Sequence, residues 1–126
     1  VINNKFTLLI SEFSVLSSNI PITLGATQAL VCHYSGLDCY LEDGARIGVP
    51  EQLLIVIPLN KKISVQKQAA YNSDFSLTRD GYITEIGNRG CCYIRHRLIP
   101  DHPQQLARYL SDTVNIVNHF MKEKLL

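Results

Sequence analysis

The two ends of this chain repeat their apolar residues every three to four positions, and the stretch between them repeats every two. Toward the C-terminus Leu106, Tyr109, Leu110, Thr113, Val114, Val117, Phe120 and Met121 form a stripe, with Arg108, Asp112, Asn115 and Asn118 off it. That spacing places the stripe on one face of a helix. Asp101, Pro103 and Gln104 precede it as a cap, an early proline and a capping-box partner. Lys122 and Lys124 stand where the helix dipole favours cations. Near the N-terminus Phe6, Leu9, Ile10, Phe13 and Leu16 mark a second helix from Asn3 to Ser18, with Lys5, Ser11, Glu12 and Ser14 off its stripe. Asn3 or Asn4 supplies its cap, and Asn19 followed by Pro21 ends it. Two striped helices need an apolar layer to face, and the middle of the chain must provide it.

The middle reads as strands. Leu30, Cys32 and Tyr34 alternate with Val31, His33 and Ser35 over Ala29 to Ser35, and Gly36 breaks the run. Leu37 to Glu42 resumes it, with Leu37, Cys39 and Leu41 on one face. Asp43-Gly44 signals a turn, and a loop follows through Gly48 and Pro50. Gln52 to Leu59 is the most strand-like run, and Pro58 places its end in a frayed position or near a sheet edge. Asn60 to Asn72 fits a short helix with Ile63, Gln66, Lys67 and Ala70 on one side, and Ser73 to Leu77 the start of a strand. After the Asp80-Gly81 turn, Tyr82 to Ile86 and Cys91 to Leu98 form a hairpin around the glycine-rich Gly87 to Gly90. The expected architecture is an α+β, two-layer single domain over residues 1–126, a mainly antiparallel sheet with N- and C-terminal helices and a short middle helix.

Composition narrows the function. The chain has 126 residues, 46% apolar and 18% charged, with a net charge of +1. A nucleic-acid binder concentrates basic excess on one face, and this chain has no such excess, so no nucleic-acid partner is expected. Lys61, Lys62 and Lys67 read as a solvated face. The longest apolar run, Leu53 to Ile57, is strand-sized, so no membrane insertion is expected. The N-terminus lacks the basic, apolar and small-residue regions of a signal peptide, and its start at Val1 rather than Met is compatible with a few residues removed before it. Cys32, Cys39, Cys91 and Cys92 show no CxxC spacing, and Cys91 and Cys92 point to opposite faces of a strand. Four reduced thiols and a cytoplasmic location are expected.

No chemistry assembles from the reactive residues. Cys91 and His96 face opposite sides of a strand, and Cys92 and His96 share a face about 13 Å apart, too far for a nucleophile and its base. Cys32, His33, Cys39, Cys91, Cys92, His96 and His102 contain no chelating spacing. Asp38, Glu42 and Asp43 cluster at a turn, and Asp74, Asp80 and Glu85 are dispersed. Arg89, Arg95, His96 and Arg97 make at most a mildly basic sheet surface. No catalytic residue, metal or cofactor is expected.

A chain this small cannot hide every apolar face of two helices and a sheet. Binding to protein is therefore the expected role, with Phe6, Leu9 and Phe13 on the first helix, or Leu53, Ile55 and Ile57 on the central strand, as candidate contact residues. From Phe6 to Met121 the chain resembles a class I type III secretion chaperone, one of the small bacterial proteins that escort effectors to the secretion apparatus. The resemblance lies in the helix NNKFTLLISEFSVLSS, the strands in ALVCHYSG, LDCYLED and QLLIVIPL, the segment AAYNSDFSLTRDGYITEIGNRGCCYIRHRLIP with its Asn72, and the closing helix HPQQLARYLSDTVNIVNHFMKEKL. Two features depart from the family: a net charge of +1 where acidity is usual, and a short, polar second helix. The resemblance implies a cytoplasmic homodimer that binds an extended segment near the N-terminus of a secreted effector. Another small interaction domain, such as a secretion adaptor, an immunity protein or a chaperone-like regulator, is the alternative.

Overall fold

The computed structural model describes residues 4–18 and 29–125. Among the described residues four α-helices and five strands follow one another as α1 (Asn4–Ser18), β1 (Leu30–Tyr34), β2 (Leu37–Asp43), β3 (Gln52–Pro58), α2 (Val65–Asn72), α3 (Phe75–Thr78), β4 (Gly81–Ile86), β5 (Gly90–Leu98) and α4 (Pro103–Lys124), with short 3-10 turns at Gly44–Ile47 and Gly87–Arg89. The strands make one sheet in the order β1-β2-β3-β5-β4, with every neighbouring pair antiparallel. The expected α+β layout is the observed one. The expected N-terminal stop, Asn19 with Pro21, lies outside the described residues, as does Asn3.

Local chemistry explains the turns. Ser35 and Gly36 join β1 to β2 with φ of 49° and 81°, the two positive angles of a type I′ hairpin turn, where glycine carries no steric cost. Gly81 opens β4 under the ring of Tyr93, and a Cβ there would lie 2.3 Å from that ring. Tyr93 is held in place by its hydroxyl, which donates to the Thr78 carbonyl at 2.8 Å.

The core lies between the sheet and the helices α1 and α4. Phe6, Leu9, Ile10 and Phe13 of α1 meet Leu106, Leu110, Val114, Val117 and Phe120 of α4 over Cys39, Leu41, Leu53, Ile55, Ile57, Ile83 and Tyr93 of the sheet. Buried Arg95 enters this layer too, where its Nε donates to Asp80 at 2.8 Å and its guanidinium donates to the Thr113 hydroxyl at 3.1 Å.

Four local expectations are corrected. Pro58 ends β3, but β3 lies in the middle of the sheet between β2 and β5, and Pro58 is buried. Ile63 precedes α2 and is buried, whereas α2 itself buries no residue, so the stripe through Gln66, Lys67 and Ala70 faces solvent. Ser73 to Leu77 is not a strand. The Asp74 carboxylate accepts from the Ser76 backbone N–H at 3.1 Å and caps the short helix α3, a local bond that competes with extension. Asp101 does not cap α4. His102 takes the cap position without a side-chain bond, and Asp101 pairs with Lys5 at 3.4 Å instead.

Candidate functional site: an apolar cleft beside an open strand edge

The serines of α1 prepare one wall of a cleft. Ser14 donates to the Ile10 carbonyl at 2.8 Å, Ser17 to Phe13 at 2.6 Å and Ser18 to Ser14 at 2.8 Å. Their hydroxyls are engaged within the helix, so the wall they line is apolar in effect. A cleft of about 410 Å³ opens there between the C-terminal half of α1, strand β1 and α4, lined chiefly by Phe13, Leu16, Leu30, Cys32, Ala107 and Leu110. Around it Leu16 and Val31 are exposed, at 51% and 46%.

Strand β1 is one of the two sheet edges, β4 the other. The two edges differ. At β4 the Asn72 side chain reaches across from the end of α2, its Oδ1 accepting from the Ile83 N–H at 2.7 Å and its Nδ2 donating to the Ile83 carbonyl at 2.9 Å. One side-chain amide thus takes up both outward backbone groups of the middle of that strand. No such plug faces β1 among the described residues. An exposed edge of this kind is a template for another strand.

The six residues singled out from the sequence all lie in the chain's own core: Phe6, Leu9, Phe13, Leu53, Ile55 and Ile57 are each no more than 8% exposed. Only Phe13 also borders the cleft. The structure therefore brings the α1 group and the β3 group together as packing, and leaves other apolar residues in solvent. Sequence reading passed over Val31, Cys32, Ala107 and Asn72 as site residues. The signal that marks Asn72 is an amide at a helix end just before an edge strand; nothing local marks the others.

The reactive residues have other partners. His96 bonds Tyr82 Oη at 2.9 Å and Gln52 Oε1 at 3.2 Å, while the Cys92 thiol donates to the Gly90 carbonyl at 3.5 Å. Burial pushes the Cys92 thiol up to about 11, which keeps it protonated near neutral pH. Arg89 pairs with Glu42 at 2.6 Å and lies 3.9 Å over the Tyr40 ring. Burial works to raise the pKa of Asp80, but the hydrogen bonds and charges of Arg95 and Arg97 outweigh it and hold the carboxyl below its ordinary value. The arginines of the sheet are thus matched by carboxylates. Among the described residues no three His, Cys, Asp or Glu side chains are grouped to hold a metal ion, and no helix is long and apolar enough to cross a membrane.

No protein-family model and no curated protein sequence matches the chain. Solved structures do. The chain superposes on a chain of the HopA1–SchA chaperone–effector complex with a TM-score of 0.70 at 14% identity, over 95% of each chain. The resemblance read from the sequence is a resemblance of fold. A chain of the ExsC–ExsE complex matches with a TM-score of 0.69 at 12% identity, over 96% of this chain and 94% of that one. A chain of the ExoT–SpcS complex from Pseudomonas aeruginosa matches at 0.61 and 13% identity, over 94% and 98%. In this chain the shared fold holds the cleft described above beside a β1 edge that no described residue plugs.

Proposed function

We propose that the protein is a class I type III secretion chaperone of the bacterial cytoplasm, acting by binding and not by catalysis. Its client is an extended segment near the N-terminus of a secreted effector, kept unfolded for export. The observation that carries this reading is the meeting of the apolar cleft with a β1 edge that no described residue plugs. A client strand added to β1 gains main-chain hydrogen bonds, and its alternate side chains enter the cleft against Leu16, Leu30 and Leu110. Each large apolar side chain buried there contributes about 1.5–3 kcal/mol, opposed by the cost of ordering the segment. Residues 1–126 act as one binding domain.

The protein works as a homodimer. The sheet face without helices carries Tyr40, Leu54, Val56, Ile86, Cys92 and Ile94 as an apolar cluster, and Leu98 on the same face of β5 is 64% exposed. Val56, Cys92 and Ile94 are already buried within the single chain, and a second copy covers the partly exposed Tyr40, Leu54 and Ile86 and the exposed Leu98 around them.

Overlapping peptides from the first hundred or so residues of the same bacterium's secreted proteins test the reading by fluorescence anisotropy. Extended peptides with alternating apolar residues bind, and Leu16→Asp weakens them at least tenfold, the equivalent of about 1.4 kcal/mol. Binding that ignores Leu16→Asp would remove the cleft from the client path.

A further inference from the structure

The β1–β2 hairpin sets two thiols directly opposite each other. Cys32 and Cys39 are register partners, and both are free. Cys39 is fully buried, while Cys32 is partly exposed and lines the cleft. Counting back from the two-residue turn, Cys32 and Cys39 are a hydrogen-bonded pair, whose Cα atoms stand about 5.5 Å apart, inside the roughly 4.4–6.8 Å that a disulfide spans. The two groups also feel each other electrically: burial, then Cys32, then Asp38 push the Cys39 thiol up to about 12. Cys91 and Cys92 contrast with them, being adjacent on β5 and turned to opposite faces of the sheet.

We propose that Cys32 and Cys39 form a redox modification site that takes a small-molecule disulfide as oxidant and closes into a cross-strand disulfide on the edge hairpin. The Cys32 thiolate, reached from the cleft, attacks one sulfur of the reagent, forming a mixed disulfide and releasing one small thiolate. The Cys39 thiolate then attacks Cys32 Sγ and displaces the second. Two protein S–H bonds are lost and one S–S bond forms; the reagent's S–S bond breaks and its two sulfurs take up the two protons. Burial raises both thiols above their ordinary value, so thiolate is scarce near neutral pH and the site answers to sustained oxidant. The bond withdraws Cys32 Sγ from the cleft wall and ties the edge strand to the sheet. Its consequence for a client rests on the chaperone reading; the bond itself does not.

Oxidised glutathione titrated against the full chain, with intact-mass measurement and non-reducing peptide mapping, tests the site. The native chain loses two hydrogens, and mapping joins Cys32 to Cys39 in a bridge that dithiothreitol reopens. Cys39→Ser stops at a glutathione adduct on Cys32, and Cys91→Ser changes nothing. A lasting adduct on Cys32 of the native chain, a bridge between two copies, or no reaction where denatured chain is oxidised would each overturn the proposal. Mapping the native chain requires no variant to fold and no client, so a failure of the peptide-binding test leaves this result standing.

Discussion

Asn72 shows how one side chain decides which edge of a sheet is available. Its amide presents an acceptor and a donor at the spacing of a strand's own N–H and C=O, and Ile83 takes both. Asn72→Ala frees those groups. The chain should lose about 1–2 kcal/mol in urea unfolding, and the Ile83 amide should exchange its hydrogen faster in the folded state. Unchanged exchange at Ile83 would mean that the amide does not hold the edge. The same scale explains why charge patterning misled: Arg95 and Arg97 read as surface cations, yet Asp80 engages both and Arg95 is buried.

Among the elements, the short connection from α3 to β4 carries backbone strain. Arg79 ends α3 at φ 55° and ψ −125°, a conformation that fits the first central position of a type II′ turn, where glycine is preferred. Two residues on, Gly81 leaves no room for a side chain because the Tyr93 ring lies beneath it. Arg79→Gly should raise stability by about 1 kcal/mol after the added freedom of the unfolded chain is counted, seen as a higher urea midpoint with an unchanged slope. A lower midpoint would show that the arginine side chain contributes more than its backbone costs. The helices α1 and α4, by contrast, follow their apolar stripes, although Leu16 of the α1 stripe is in solvent at the cleft and Ser14, off the stripe, is buried.

At the scale of the whole molecule, the helix-free face separates a self-sufficient monomer from the proposed dimer. Leu54 lies on that face beside Glu42 and His96 in register and is only partly covered. Leu54→Arg places a long cation there that can keep its stem on the sheet and its head in water. Light scattering should give twice the 14.2 kDa of one chain for the native protein and a single copy for Leu54→Arg, with the melting point within about 5 °C. A native protein of single-chain mass would refute the dimer and leave the cleft untouched.

Periodicity alone carried much of the architecture: helical spacing at both ends, alternation in β1 and β2, and a glycine-rich turn in the β4–β5 hairpin are local patterns, and local patterns survive in a linear text. It also carried the excess of apolar residues, since Leu53 to Ile57 and Cys91 to Ile94 offer side chains to both faces of a strand. Which of those residues meet water was a property of packing. Phe6, Leu9 and Ile55 vanished into the core because α1, α4 and one sheet face cover each other. The cleft exists only where α1, β1 and α4 converge, the Asn72 plug spans α2 to β4, and Cys32 meets Cys39 only through the register of a folded hairpin. Each joins residues from separate elements, and a contact of that kind is set when the chain closes on itself.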